Sequence, residues 1–159
     1  MHLVRELKVP PENILAVTFT NRAAREMRER LRALLSAEQV AGVTACTFHA
    51  LGYSILSAEH AATKKQETPV VYTPDDCARV LRRVLNVMKR PTGARLEQQI
   101  LEAVSDAKQN ILAPEELGDQ WIIDDINLAE VYRRYQEALE AALALDYDDL
   151  IFKTVKLLE

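Results

Sequence analysis

The stretch Ile14-Leu15-Ala16-Val17-Thr18-Phe19-Thr20-Asn21-Arg22-Ala23-Ala24-Arg25-Glu26-Met27 decides how this chain is read. Ile14 to Phe19 is a near-continuous apolar run of strand length, the pattern of a parallel strand covered on both faces. It stops at a polar turn, where Thr20 or Asn21 can cap a helix. That helix repeats apolar residues at spacings of three and four, through Ala23, Ala24, Met27, Leu31 and Leu34. Its other face carries Arg22, Arg25, Arg28, Arg30 and Arg32 with Glu26 and Glu29. Pairs such as Glu26 with Arg30, and Glu29 with Arg25 or Arg32, make most of this face a solvated one.

A second short apolar run, Val43 to Cys46, ends in Thr47-Phe48-His49 and leads into a helix to about His60. Two strand-end turns of an α/β sheet lie on the same edge, where ligands bind. The first turn offers hydroxyls, an amide, an aromatic ring and a helix N-terminus, which suit a phosphate backbone and an unstacked base.

Outward from these turns, Leu3, Val4 and Leu7 mark the end of a helix, broken by Pro10-Pro11. Ala61 to Pro69 reads as a polar loop, and the chain beyond it is largely helical. Thr73-Pro74-Asp75-Asp76 is a strong helix start, followed by the stripe Cys77, Val80, Leu81, Val84, Leu85 and Met88. Further helices are expected over 94–110, from Pro114, over 127–143 and over 146–158. Asp146 would cap the last, with Asp148 and Asp149 favouring its dipole rather than forming a metal cluster.

The 159 residues carry a net charge of −4, unevenly placed. Residues 1–35 hold seven Lys/Arg against four Asp/Glu, and residues 111–150 hold two against eleven. A local basic face can bind nucleic acid under an overall negative sign. No apolar run reaches the ~20 residues of a membrane span, and Met1 to Glu6 lacks a signal-peptide core, so a cytoplasmic location is expected. Cys46 and Cys77 lack metal-ligand spacing and read as reduced and buried. No Ser/His/Asp or Cys/His arrangement is present, and no catalytic, cofactor-binding or metal-binding residue is assigned.

The stretch Ile14 to Leu31 resembles motif Ia of the UvrD/Rep/PcrA family of superfamily 1 DNA helicases. Thr47-Phe48-His49-Ala50-Leu51 resembles its motif Ib, and Leu145-Asp146-Tyr147-Asp148-Asp149-Leu150-Ile151 the "LDFDDLL" stretch before Walker B. The resemblance implies an α/β, predominantly helical chain, with a partial RecA-like layer of P-loop NTPase type and an all-helical inserted subdomain. The expected division is 1–58 for the motor domain, 59–144 for the insertion and 145–159 for a return helix. It also implies DNA contacts at Thr18, Phe19, Thr20, Asn21, Arg22, Thr47, Phe48 and His49, with a base stacking on Phe19. From pattern alone, Phe19 reads as a core residue at a strand end. In relatives the helical insertion, here with Arg79, Arg82, Arg83, Lys89, Arg90, Arg95, Lys64 and Lys65, helps hold DNA near the fork.

The four glycines, Gly42, Gly52, Gly93 and Gly118, give no Gly-x-x-x-x-Gly-Lys-Ser/Thr loop, and no Asp-Glu pair ends an apolar strand. The chain is therefore expected to be an internal piece of an ATP-dependent 3′-to-5′ DNA helicase, inactive alone. ATP and Mg2+ belong to the intact parent. The expected partners are single-stranded DNA, duplex junctions and DNA repair or replication proteins. The rival expectations are a stand-alone nucleic-acid- or protein-binding helical module, and part of a RecB/AddA-like helicase-nuclease.

Overall fold

A computed structural model describes residues 2–63, 68–118 and 121–159. Lys64 and Lys65 of the expected loop, and Asp119 of the acidic stretch, lie outside them. The chain divides into two compact units, residues 1–54 and 55–159.

The first unit holds α1 (His2–Arg5), β1 (Leu15–Thr18), α2 (Asn21–Leu34), α3 (Ala37–Gly42) and β2 (Thr44–Thr47), and the start of α4 (Phe48–Thr63). β1 and β2 pair in parallel, from Leu15 opposite Thr44 to Thr18 opposite Thr47. Among the described residues β1 is only partly covered: Leu15 is exposed and Ala16 to Thr18 are half-buried, short of the expected cover on both faces. A parallel strand reads as continuously apolar because neighbours cover it, and a two-stranded sheet supplies too few. Of the N-terminal stripe, Val4 is buried while Leu3 and Leu7 are exposed.

α2 starts where the Thr20 hydroxyl accepts from the Ala23 N–H at 3.1 Å. It buries Ala24 and half-buries Ala23, Met27 and Leu31. Glu26 pairs with Arg22, one turn before it, rather than with the expected Arg30. Arg28, though exposed, donates from its Nη1 to the Ala45 carbonyl at 2.9 Å, bracing α2 to β2. Arg5 caps the far end of α2 by donating to the Leu34 carbonyl. Gly42 ends α3 against the turn at Pro11–Asn13, where a Cβ would meet the Pro11 ring at 2.7 Å. A glycine is required there by close approach.

The second unit is built on α5 (Pro74–Val87), α6 (Ala94–Gln109), α7 (Leu128–Ala141) and α8 (Asp149–Leu158). α5 begins with the expected cap: the Thr73 hydroxyl accepts from the Asp76 N–H, and the Asp76 carboxylate accepts from the Thr73 N–H. Cys77, Leu81 and Leu85 of α5 meet Ile100 and Val104 of α6, and Val131, Tyr132, Tyr135 and Leu139 of α7, in one apolar core. Cys46, by contrast, is only half-buried.

Two small sheets were not anticipated. β3 (Val70–Val71) pairs in parallel with β6 (Ala144–Leu145), tying the entry of this unit to the segment before α8. β4 (Ile122–Ile123) and β5 (Ile126–Asn127) form a hairpin in which Asp124 and Asp125 both have positive φ, as a two-residue turn of mirror-image type demands.

Lys108, near the end of α6, has no exposed side-chain surface. Its ammonium lies 2.5 Å from Asp146 and 2.8 Å from Asp149. The Tyr132 and Tyr135 rings stand 5.8 and 5.4 Å away. Tyr135 donates to Asp146, and Gln136 Nε2 to Asp149. Asp146 and Asp149 also accept from each other's backbone N–H groups. The expected cap is thus present, but Asp149 is not a solvated dipole partner. It is buried, and burial raises its carboxyl above the ordinary value against the pull of Lys108.

Lys108→Met should cost about 3–5 kcal/mol, because it strands two buried carboxylates. Breaking the exposed Arg133–Glu137 pair should cost under about 1 kcal/mol. Urea denaturation of both variants decides this, and equal losses would show that Lys108 contributes only packing.

A second prediction concerns acid. Paired hydrogen bonds from Arg82, at 2.6 and 2.9 Å, hold the Glu97 carboxyl below its ordinary value. The Thr73 hydroxyl and backbone do the same for Asp76. Such groups take up protons first in the unfolded chain. Their stabilisation is therefore present above the unfolded values, near 4.5 for Glu97 and 3.8 for Asp76, and is lost as pH falls through the lower folded ones. Glu97→Gln should flatten this acid limb, seen as a smaller drop in urea midpoint between about pH 5 and pH 3.

Candidate nucleic-acid interface

The parallel register determines the candidate interface. Thr18 lies opposite Thr47, so the residues that follow them, Phe19 and Phe48, leave the same edge of the sheet side by side. Their ring centroids are 5.2 Å apart, with the planes at 46°. Phe19 is 85% exposed and Phe48 39% exposed. The reading of Phe19 as a core residue is therefore wrong: its ring stands in solvent.

Each ring sits at a helix N-terminus: Phe19 just before α2, Phe48 as the first residue of α4. Thr20 caps α2, and Asn21 is its first, exposed residue. Thr47 is buried, and its hydroxyl accepts from the Ala50 N–H at 3.2 Å, capping α4. The starts of two helices, with the positive ends of their dipoles, thus meet one edge, an environment that favours anions. Arg22 adds a cation whose side chain is 84% exposed and bonds Glu26 at 3.0 Å. His49 is half-buried at the start of α4.

The eight residues singled out in the sequence are thus split. Phe19, Thr20, Asn21, Arg22 and Phe48 share the exposed edge. Thr47 is spent on capping, and Thr18 lines a hollow of about 400 Å³ with Val17, Met27 and Leu31 on the β1–α2 surface. Arg28 was missed as a contributor. Its tie to the Ala45 carbonyl fixes β2 against α2, and so fixes the two ring positions. Only its place in an arginine-rich helix signalled it, and that is equally the signature of a solvated face.

This edge can hold one planar base face-on against a ring and a phosphate near the helix starts, contacts that do not depend on which base is present. No group of three or more His, Cys, Asp or Glu could hold a metal ion among the described residues. Asp146 and Asp149 are committed to Lys108. Among the described residues, none forms the acidic cluster that a nucleotide–magnesium site would need. Among the described residues, no helix is long and apolar enough to cross a membrane.

Comparison with known proteins agrees with the motifs. Residues 1–159 match the family described as UvrD/REP helicase N-terminal domain. The chain is 37% identical over 161 residues to the ATP-dependent DNA helicase PcrA of Leuconostoc citreum, covering 99% of this chain and 21% of that protein. It is 32% identical over 159 residues to the ATP-dependent DNA helicase Rep of Escherichia coli K12, covering 99% of this chain and 24% of that one. PcrA of Staphylococcus aureus NCTC 8325 is 32% identical over 161 residues, with 99% and 22% covered. The chain thus spans between a fifth and a quarter of the length of these relatives. With two exposed rings and two helix starts aligned at one sheet edge, and a match that runs its whole length, this chain belongs to the UvrD/Rep helicase family, in the region of the N-terminal domain.

Proposed function

We propose that the chain is the single-strand-gripping part of an ATP-dependent DNA helicase that translocates 3′ to 5′. The observation that carries this reading is the pair of strand ends held in register, which puts the 85% exposed Phe19 ring beside the starts of α2 and α4. A ring of that size is left in water at a cost that burial elsewhere would recover, and stacking a base recovers it on demand. Every base has a π-face, so the grip works at each step of a moving strand. Thr20, Asn21, Arg22, Thr47, Phe48 and His49 line or support the path of the backbone, and Thr18 supports it from β1.

Residues 1–58 then form part of a RecA-like motor domain, residues 59–144 the helical insertion, and residues 145–159 the helix that leads back to the motor. ATP and Mg2+ are bound by other residues of the full-length protein, and no step of hydrolysis runs through the residues described above. Duplex junctions are the second substrate, with DNA repair or replication proteins as partners in the cytoplasm. The names of the relatives, ATP-dependent DNA helicases, support this assignment.

In the full-length protein, Phe19→Ala should weaken single-strand affinity by about 1–3 kcal/mol, the worth of one base stack. Fluorescence anisotropy with a labelled oligonucleotide measures it, and a retained circular-dichroism melt separates it from unfolding. Unchanged affinity would remove the base-stacking role. Binding should also fall linearly with log salt, since phosphate contacts release counterions. Unwinding of duplexes with a 3′ tail but not a 5′ tail tests the direction, and the reverse preference would overturn it.

A further inference from the structure

We infer that Phe48 is a positioning residue for Phe19 rather than a second stacking platform, an inference that rests on the reading of Phe19 as the base-stacking ring. A planar base can lie parallel to only one of two rings inclined at 46°. Exposure decides which: Phe19 presents 85% of its surface and Phe48 39%. The backbones beneath the rings differ as well. Phe48 opens α4 directly after Thr47, which is buried and caps that helix through Ala50. The strand before it is tied to α2 by Arg28. Phe19 lies in the turn between β1 and α2, with most of its ring in solvent.

A free aromatic side chain samples several rotamers and must give up that freedom when a base stacks on it. The Phe48 ring at 5.2 Å closes off one side of Phe19 and reduces the number of positions it visits before DNA arrives. The centroid separation lies within the range at which aromatic pairs attract. Phe48 therefore acts on affinity through Phe19, and its contribution vanishes when Phe19 is absent.

A double-mutant cycle in the full-length protein tests this, read by single-strand affinity and by the fluorescence of 2-aminopurine placed along the oligonucleotide. Phe48→Leu is used beside Phe48→Ala because it keeps apolar bulk, and thermal melts confirm folding. Either change should weaken binding about 2- to 10-fold, the worth of an aromatic pair. Phe48→Tyr, which keeps the ring, should restore it. The Phe19→Ala/Phe48→Leu double variant should bind no worse than Phe19→Ala alone. Additive losses would overturn the inference, because Phe48 would then touch DNA itself. Parent-like binding by folded Phe48→Leu would overturn it too. No loss on Phe19→Ala would overturn the stacking reading, and this inference with it.

Discussion

Everything at the candidate interface depends on the parallel, in-register pairing of two four-residue strands. Side chains alternate along a strand, so a slip of one residue would turn Thr18 and Thr47 away from each other and separate Phe19 from Phe48. Hydrogen bonding along four residues is a weak specification by itself. Contacts outside the ladder brace it: the Arg28 guanidinium ties α2 to the Ala45 carbonyl of β2, the Arg5 guanidinium holds the end of α2, and Gly42 packs close on Pro11. Two arginines that look like surface charge are thereby part of the scaffold of the site.

The second unit solves a different problem, the concentration of acid in residues 111–150. Part of that charge is neutralised locally: Glu130 meets Arg134, Glu137 meets Arg133, and Glu140 meets Lys153. Asp146 and Asp149 share one buried ammonium. The core packs around that cluster, with the Tyr132 and Tyr135 rings against Lys108. Desolvation pushes the Tyr135 hydroxyl well above its ordinary value, so it stays a donor to Asp146.

What the sequence reveals, and what it hides, follows from distance along the chain. The strand–turn–helix at Ile14 to Met27 and the start at Thr73-Pro74 were legible, because caps and periodicity act within a few residues. So was the stripe from Cys77 to Met88. β3, β4, β5 and β6 were not, because two-residue strands are too short to show alternation, and Asp124-Asp125 lacks the usual glycine of such a turn. Lys108 was invisible for another reason. A lysine at the end of an amphipathic helix reads as solvated unless its partners are known, and they lie 38 and 41 positions further on. In the site itself, the aromatic and polar residue types were readable, while the exposure of Phe19 and its contact with Phe48 needed the fold.

The buried lysine also constrains how such a sequence can change over generations. Losing Lys108 first leaves two carboxylates in the core without a cation, a step that selection would remove before any repair could follow. Losing one acid first leaves one ammonium facing one carboxylate, and an asparagine at 146 would still accept from the Asp149 N–H. Descent toward an apolar core therefore has a preferred first step, through one of the acids rather than through the lysine. Lineages that keep both acids should keep the lysine, however far their surfaces drift.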